Sequence, residues 1–255
     1  MLLTGGSSGI GEALARRLVE RGAVVLVTAR RADRLRRLQT ELEGASGRLE
    51  FLAGDLTDMA FRRHLLDHAR DQFDGRLDLL VNNAGVGLWG PFIESAPEHL
   101  HQVFDLNFFA AVDLTRGCLS MLQAGRLGTI CNIGSVLGHV AVPLKSEYCA
   151  SKFALRGWTD SIRPELRRLG IRVVLISPST TRSEFFDAAL TADSRPRPKS
   201  VGSTSPAVVA QITVNAIERG TSEVILSPAG RALVTAGRWV PRALRWIFDR
   251  QYRDA

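Results

Sequence analysis

Tyr148 and Lys152 stand four residues apart in the run YCASK, a spacing that sets both side chains on one helix face, a turn apart. A free tyrosine has a pKa of about 10, too high for a base near neutrality. An ammonium close by favours the phenolate, so the pair suggests a proton donor and acceptor for an oxygen of a bound molecule. Ser135, thirteen residues earlier in the run IGS, follows an apolar run and could hydrogen-bond that same oxygen as charge develops on it. YxxxK alone is a common accident of helices; its weight comes from company.

That company is a phosphate-binding turn. Residues 4–11 read TGGSSGIG, between a short apolar stub and a helical pattern. Gly5, Gly9 and Gly11 allow a tight turn, close backbone approach to a pyrophosphate and close helix packing. Ser7, Ser8 and Ile10 complete the turn, and the helix N-terminus behind it offers unpaired N–H groups and a positive dipole end. The next strand ends at Thr28 and Ala29, followed by Arg30 and Arg31. An NAD-preferring protein usually carries Asp or Glu at this strand end to bind the ribose 2′-hydroxyl. Ala29 stands there instead, and Arg30 can pair with a 2′-phosphate, which favours NADP(H). The other reading makes Arg30 and Arg31 solvated helix-surface charges. Asp55, with Leu56 in the run GDL, could accept from the adenine amino group or cap a helix. An oxidised nicotinamide beside Tyr148 would favour its phenolate further.

These residues need a scaffold, and the chain supplies an alternating one. Apolar runs at 23–27, 49–53, 77–81, 129–133, 171–176 and 224–226 are short, rich in Val, Ile and Leu, and lack period-two alternation. Such runs predict strands buried on both faces. Helical patterns lie between them at 10–21, 31–43, 60–73, 97–123, 147–169 and 206–219. Strand–helix alternation predicts a parallel α/β sheet with helices on both faces. Only residues 1–3 precede the first turn, so either the sheet tolerates a stub strand or the natural start lies upstream. Residues 181–205, rich in Ser, Thr, Pro and Arg, predict a mobile substrate loop with short helical pieces. Residues 229–255 are basic and aromatic, with Pro241 marking a break or helix start. No linker divides residues 1–255, which read as a single domain.

Composition narrows the classes further. The 255 residues are 45% apolar and 23% charged with a net charge of +7, ordinary for a globular chain with a sizeable core. The arginines are spread along helices without interleaved aromatics, so no nucleic-acid partner is expected. Cys118, Cys131 and Cys149 lack metal-ligand spacing and fit packing positions in a reducing compartment; no metal site is expected. No signal peptide or membrane span is apparent, which points to a cytoplasmic address. The tail carries two readings: packing over a cleft or a neighbouring subunit, and peripheral contact with a membrane surface.

TGGSSGIG at 4–11, NNAG at 82–85, Asn107 in DLNFF, Ser135, YCASK at 148–152 and Pro178 occur in order over residues 3 to about 185. In this the chain resembles the short-chain dehydrogenase/reductases of the smaller soluble type. The resemblance implies a Rossmann-type doubly wound parallel sheet in three α/β/α layers. It implies that Asn107 holds a water linking Lys152 to solvent, and that Lys152 also binds the nicotinamide ribose. Asn83, Ala84 and Gly85 would support the sheet and the adenosine side, and hydride would leave the B face of the nicotinamide. The family usually follows Pro178 with glycine and then a threonine for the carboxamide. Here PSTTRSEF puts Ser179 at the glycine and Ser183 at the threonine, with Thr181 as a second candidate. A homodimer or homotetramer through helices 97–123 and 147–169 is implied as well. The expected activity is that of an NADP(H)-dependent carbonyl reductase or alcohol dehydrogenase acting on an apolar small-molecule carbonyl or alcohol. Leu137, His139, Val142, Phe185, Phe186, Trp89 and Phe92 are the candidate pocket wall. The alternative is a non-catalytic dinucleotide-binding sensor or scaffold, which has no need of a proton relay.

Overall fold

A computed structural model describes residues 1–182, 184–185, 189–191 and 204–253. The apolar runs become strands β1 (Leu2–Thr4), β2 (Val24–Ala29), β3 (Arg48–Ala53) and β4 (Leu79–Asn82). After them come β5 (Leu88–Trp89), β6 (Thr129–Ile133), β7 (Arg172–Ser177), β8 (Leu190–Thr191) and β9 (Glu223–Ile225). Seven of these form one parallel sheet in the order β3-β2-β1-β4-β6-β7-β9. The order runs outward from β1 to β3, then crosses back to β4 and runs the other way. Between β1 and β4 the chain direction of winding reverses, and a crevice opens beyond the carboxyl ends of these strands.

The stub strand is enough because both neighbours hold it. Leu2 pairs with Leu26 and Leu80, Leu3 with Val27 and Val81, and both leucines are fully buried. Successive side chains leave a strand on opposite faces, so Leu3 joins one core and Leu2 the other. The first core lies under α1 (Gly9–Glu20), α2 (Ala32–Glu41) and α7 (Pro206–Arg219), through Leu14, Leu35 and Val214. The second lies under α3 (Met59–Gln72), α5 (Ala110–Ala124) and α6 (Ser146–Arg167), through Leu65, Leu114 and Leu166. Helices on both faces bury every central strand, which is why those strands read as unbroken aliphatic runs.

One expectation changes here. The helix foreseen over 97–123 is α4 (Pro97–Phe104) joined to α5 by a π-turn at Asp105–Phe109. Of the 181–205 loop, residues 183, 186–188 and 192–203, where short helical pieces were expected, lie outside the described residues; β8 pairs in parallel with β5, and Thr181 bridges Thr204. The tail forms α8 (Pro228–Trp239) and α9 (Pro241–Arg253), with Pro241 opening the second helix as expected.

Candidate active site

The glycine turn leaves β1 and enters α1 with little room to spare. Gly5 takes φ +72°, and a Cβ on Gly11 would lie 2.1 Å from the Gly5 carbonyl oxygen. Asn83, just past β4, donates from Nδ2 to the carbonyls of Thr4 (2.9 Å) and Gly5 (3.0 Å), tying the two strand ends together. Ser8 stands at the N-cap of α1, but its hydroxyl does not cap the helix. It accepts instead from Arg31 Nη2 at 2.8 Å, while Ser7 accepts from Arg31 Nη2 at 3.0 Å. The first turn of α1 therefore keeps N–H groups that its N-cap side chain does not occupy, and Gly9, Ile10 and Gly11 form part of a cavity wall. Unclaimed helix N–H groups beside a guanidinium are a fit for a phosphorylated dinucleotide.

That cavity, about 700 Å³, brings nearly all the foreseen residues together. Its lining includes Gly5, Ser7, Ser8, Arg30, Arg31, Asp55, Leu56, Ala84 and Gly85 together with Ser135, Tyr148, Lys152, Pro178 and Thr181. Arg30 is exposed at its rim, whereas Arg31 is half-buried and points at the serines of the turn. Glu184, 153 residues on, bridges Arg31 (3.0 Å) and Arg34 (2.5 Å). Arg34 and Glu184 were not among the foreseen residues; an ion pair across so much sequence leaves no local signal. Asp55 accepts from the backbone N–H and hydroxyl of Thr57, both at 2.9 Å, in an Asx turn, and it is Asp58 that caps α3. Ser183 and Phe186 lie outside the described residues.

Ser135 ends the β6 side as the N-cap of a short 3-10 helix, its Oγ accepting from Leu137 N at 3.1 Å. The oxygen is thereby fixed, and the same hydroxyl meets the Tyr148 phenol. Tyr148 and Lys152 lie on α6 with the Lys152 Nζ 5.9 Å from the tyrosine ring centroid. Burial pushes the Tyr148 phenol up to about 12, against the smaller downward pull of its hydrogen bond with Ser135. Burial also brings the Lys152 ammonium down to about 8. Desolvation of the phenol outweighs the pull of its Ser135 neighbour. Lys152 Nζ donates to the Ile133 carbonyl at 2.9 Å.

Asn107 sits in the π-turn, 2% exposed. Its Oδ1 accepts from Val86 N (2.8 Å), and its Nδ2 donates to Val86 O (3.0 Å) and Ser151 Oγ (3.0 Å). The amide is thus spent on clamping the segment after β4 against α6, and Gly85 threads between Asn107 and Lys152. The wide turn is what aims this side chain sideways out of the helix.

Ser179 in place of glycine costs no strain, because the positive φ falls elsewhere, on Ser227. The Ser179 and Ser227 hydroxyls lie 3.0 Å apart, and Ser227 Oγ accepts from Gly230 N at the start of α8. The turn after Pro178 is so tied to α8, whose Ala229, Gly230 and Leu233 line the cavity. Leu137, Val142 and Phe185 are pocket wall as foreseen, with Phe185 meeting the Tyr148 ring edge-on at 5.8 Å. His139 is not: its ring is buried against Ser177 Oγ (3.0 Å) and Glu223 Oε1 (3.4 Å). Burial brings it down to about 4, so it stays neutral. Phe92 is exposed, and Trp89 lies under the Lys145 ammonium rather than on the wall.

Known proteins share this arrangement. The model of the short chain dehydrogenase family matches residues 1–193. The dehydrogenase/reductase SDR family protein 7-like of Anopheles gambiae is 33% identical, over 98% of this chain and 82% of its own. A short chain dehydrogenase/reductase from Burkholderia phymatum in complex with NAD superposes with a TM-score of 0.83 at 26% identity, covering 93% of this chain and 92% of its own. A short-chain dehydrogenase from Sphingobium yanoikuyae in complex with NADPH superposes with a TM-score of 0.78 at 27% identity, covering all of this chain and 94% of its own. The glycine turn, the strand order and the matched length agree on one conclusion: this chain belongs to the short-chain dehydrogenase/reductase family of nicotinamide-dependent oxidoreductases.

Proposed function

We propose that the protein is an NADP(H)-dependent carbonyl reductase that converts an apolar ketone to a secondary alcohol, with Tyr148 as the general acid. One observation carries this reading: Ser135, Tyr148 and Lys152 line the same cavity as the glycine turn and Arg31. A protein that only bound a dinucleotide would have no use for a buried phenol beside a serine hydroxyl.

Each group has a role its surroundings support. The Gly9–Gly11 backbone and Ser7 and Ser8 would receive the phosphates, Asp55 and Leu56 the adenine, and Ala84 and Gly85 the adenosine side. Lys152 would hold the nicotinamide ribose, and Pro178 and Thr181 would border the carboxamide. NADPH, once bound, supplies the hydride. Ser135 donates a hydrogen bond to the substrate oxygen, and Tyr148 donates the proton that completes the alcohol. Lys152 steadies the phenolate left behind. Asn107 acts as a positioning residue through Val86 and Ser151. The apolar wall of Leu137, Val142, Phe185 and Leu233 suits an uncharged substrate. Assembly as a homodimer or homotetramer through the α4–α5 rod and α6, and a cytoplasmic address, belong to the same reading. Oxidation of NADPH against a panel of ketones tests it, and no turnover with any apolar ketone would overturn it.

Two further outcomes follow from the geometry. Arg31→Ala should weaken NADPH binding about tenfold or more and NADH binding by less than about threefold, as expected on losing a charge-assisted contact to phosphate. Arg30→Ala should act in the same direction. Fluorescence titrations with both cofactors check this, and equal losses would return Arg30 and Arg31 to the solvated surface. The raised phenol makes a pH prediction with a definite sign. With its pKa near 12, Tyr148 stays protonated from about pH 6 to about pH 9. The acid needed for reduction is then fully present, so kcat/KM for reduction should be flat across that range. Oxidation needs the phenolate, so its kcat/KM should climb with pH. A reduction rate that falls tenfold between about pH 6 and about pH 8 would argue against the protonated phenol.

A further inference from the structure

We infer that α8 and α9 form a docking surface for an anionic lipid bilayer, with Trp239 and Trp246 as its interfacial anchors. α9 packs on α8, where Leu244 and Phe248 are half-buried. The rest of its apolar surface faces outward: Trp246 is 59% exposed, and Ile247 and Tyr252 are exposed with it. At the junction of the two helices Trp239 is 75% exposed and Val240 is exposed as well. Two large rings and three further apolar side chains left in water on one pair of helices call for a partner.

Charge chooses the partner. Residues 228–253 carry six arginines and one aspartate, a net +5. The Arg238 guanidinium lies 5.9 Å from the Trp239 ring centroid and Arg250 lies 5.7 Å from that of Trp246. Each anchor is therefore a ring paired with a cation, apolar on its body and basic at its edge, as residues at a membrane–water boundary are. A two-fold contact would set this patch against its own copy and oppose the two positive charges. An anionic surface attracts it instead. Among the described residues no helix is long and apolar enough to cross a membrane, so the surface lies on the bilayer rather than through it.

α8 also lines the catalytic cavity through Ala229, Gly230 and Leu233. Docking would bring that wall to the lipid, and the substrates this favours are ketones dissolved in the membrane. This extension rests on the reductase reading; the docking does not.

The test is co-sedimentation of the full chain with vesicles of phosphatidylcholine alone, or with about 30% phosphatidylserine. The wild type should partition at least about tenfold more strongly onto the anionic vesicles, with a blue shift of tryptophan fluorescence, and should release as NaCl rises from about 0.1 M to about 0.5 M. Trp239→Ala with Trp246→Ala should lose about tenfold of that partition. Arg242→Gln with Arg245→Gln should lose most of the preference for the anionic lipid. Reduction of a water-soluble ketone should be unchanged in both, which shows the fold is intact. Equal partition onto both vesicles, or none, would overturn the proposal. So would a tryptophan variant that falls to a smaller assembly by light scattering, since the face would then be a subunit contact. Because partition is read without turnover, an inactive but membrane-binding protein would refute the reductase reading and leave the docking standing.

Discussion

Replacing Tyr148 by phenylalanine is expected to lower kcat/KM for ketone reduction by about a thousandfold, within the usual range for a lost general acid. The ring, and with it the edge-on contact to Phe185, is kept; only the hydroxyl is removed. NADPH affinity should therefore stay within about threefold of wild type, because the phosphate turn and Arg31 are untouched. Steady-state kinetics together with cofactor titration separate the two quantities. Turnover that survives the substitution would leave the cavity a dinucleotide site with no assigned acid. A loss shared equally between turnover and NADPH affinity would mean the hydroxyl holds the site's shape rather than its chemistry.

Lys152→Met is expected to remove activity by about a hundredfold or more and yet to yield a more stable protein. The sign follows from burial. Lys152 has a pKa of about 8 in the folded chain against 10.5 when free. The folded state thus disfavours the charged form, at a cost of about 3 kcal/mol that is fully present below about pH 8. The cost fades as pH rises from about 8 to about 10.5, where the lysine is neutral in both states. Methionine fills a similar volume without the charge and gives up one hydrogen bond to Ile133, worth about 1 kcal/mol. At neutral pH a net gain of about 2 kcal/mol should raise Tm by about 4–8 °C. Thermal unfolding at neutral and at alkaline pH checks this: the difference should shrink as the medium becomes basic. A destabilised variant at neutral pH would mean that the ammonium is better solvated in its pocket than its burial indicates. A stability gain at the expense of turnover is a common mark of a site built for reaction rather than for folding.

The elements legible in the chain were those whose environment is repetitive. Six of the seven main-sheet strands could be read because a parallel strand covered on both faces shows an unbroken aliphatic run, within a residue or two of its true ends. The stub at Leu2–Thr4 was legible only through the glycine turn behind it. The π-turn at Asp105–Phe109 was not legible, since one extra residue hardly disturbs the apolar spacing of a long helix. The pairing of Leu88–Trp89 with Leu190–Thr191 joins two residues to two across a hundred positions, too little for any local signal. At the site, Ser135, Tyr148 and Lys152 stood out by spacing. Glu184 with Arg31 and Arg34 did not, because long-range charge pairs depend on loops whose course sequence does not reveal. His139 drew attention by type alone, and its burial between Ser177 and Glu223 removes it from the chemistry. The burial that raises the Tyr148 phenol was not legible for a related reason: neighbours can be counted in a sequence, but the loss of solvent around them cannot.

The irregular rung around Asn107 has a meaning for how this scaffold can vary. A helix with an extra residue wedged into one turn is poorer, taken alone, than its regular counterpart, and it survives here because the displaced amide grips both polar atoms of Val86. Shortening the rod by one residue there would mend its hydrogen-bond ladder and swing that amide away by about 100°, the angular step of a helix. The rod would be sounder and the strand exit beside Lys152 would lose its grip. Lineages built on this framework can change the flanking loops freely, but they can regularise this rung only by giving up the hold of Asn107 on Val86 and Ser151.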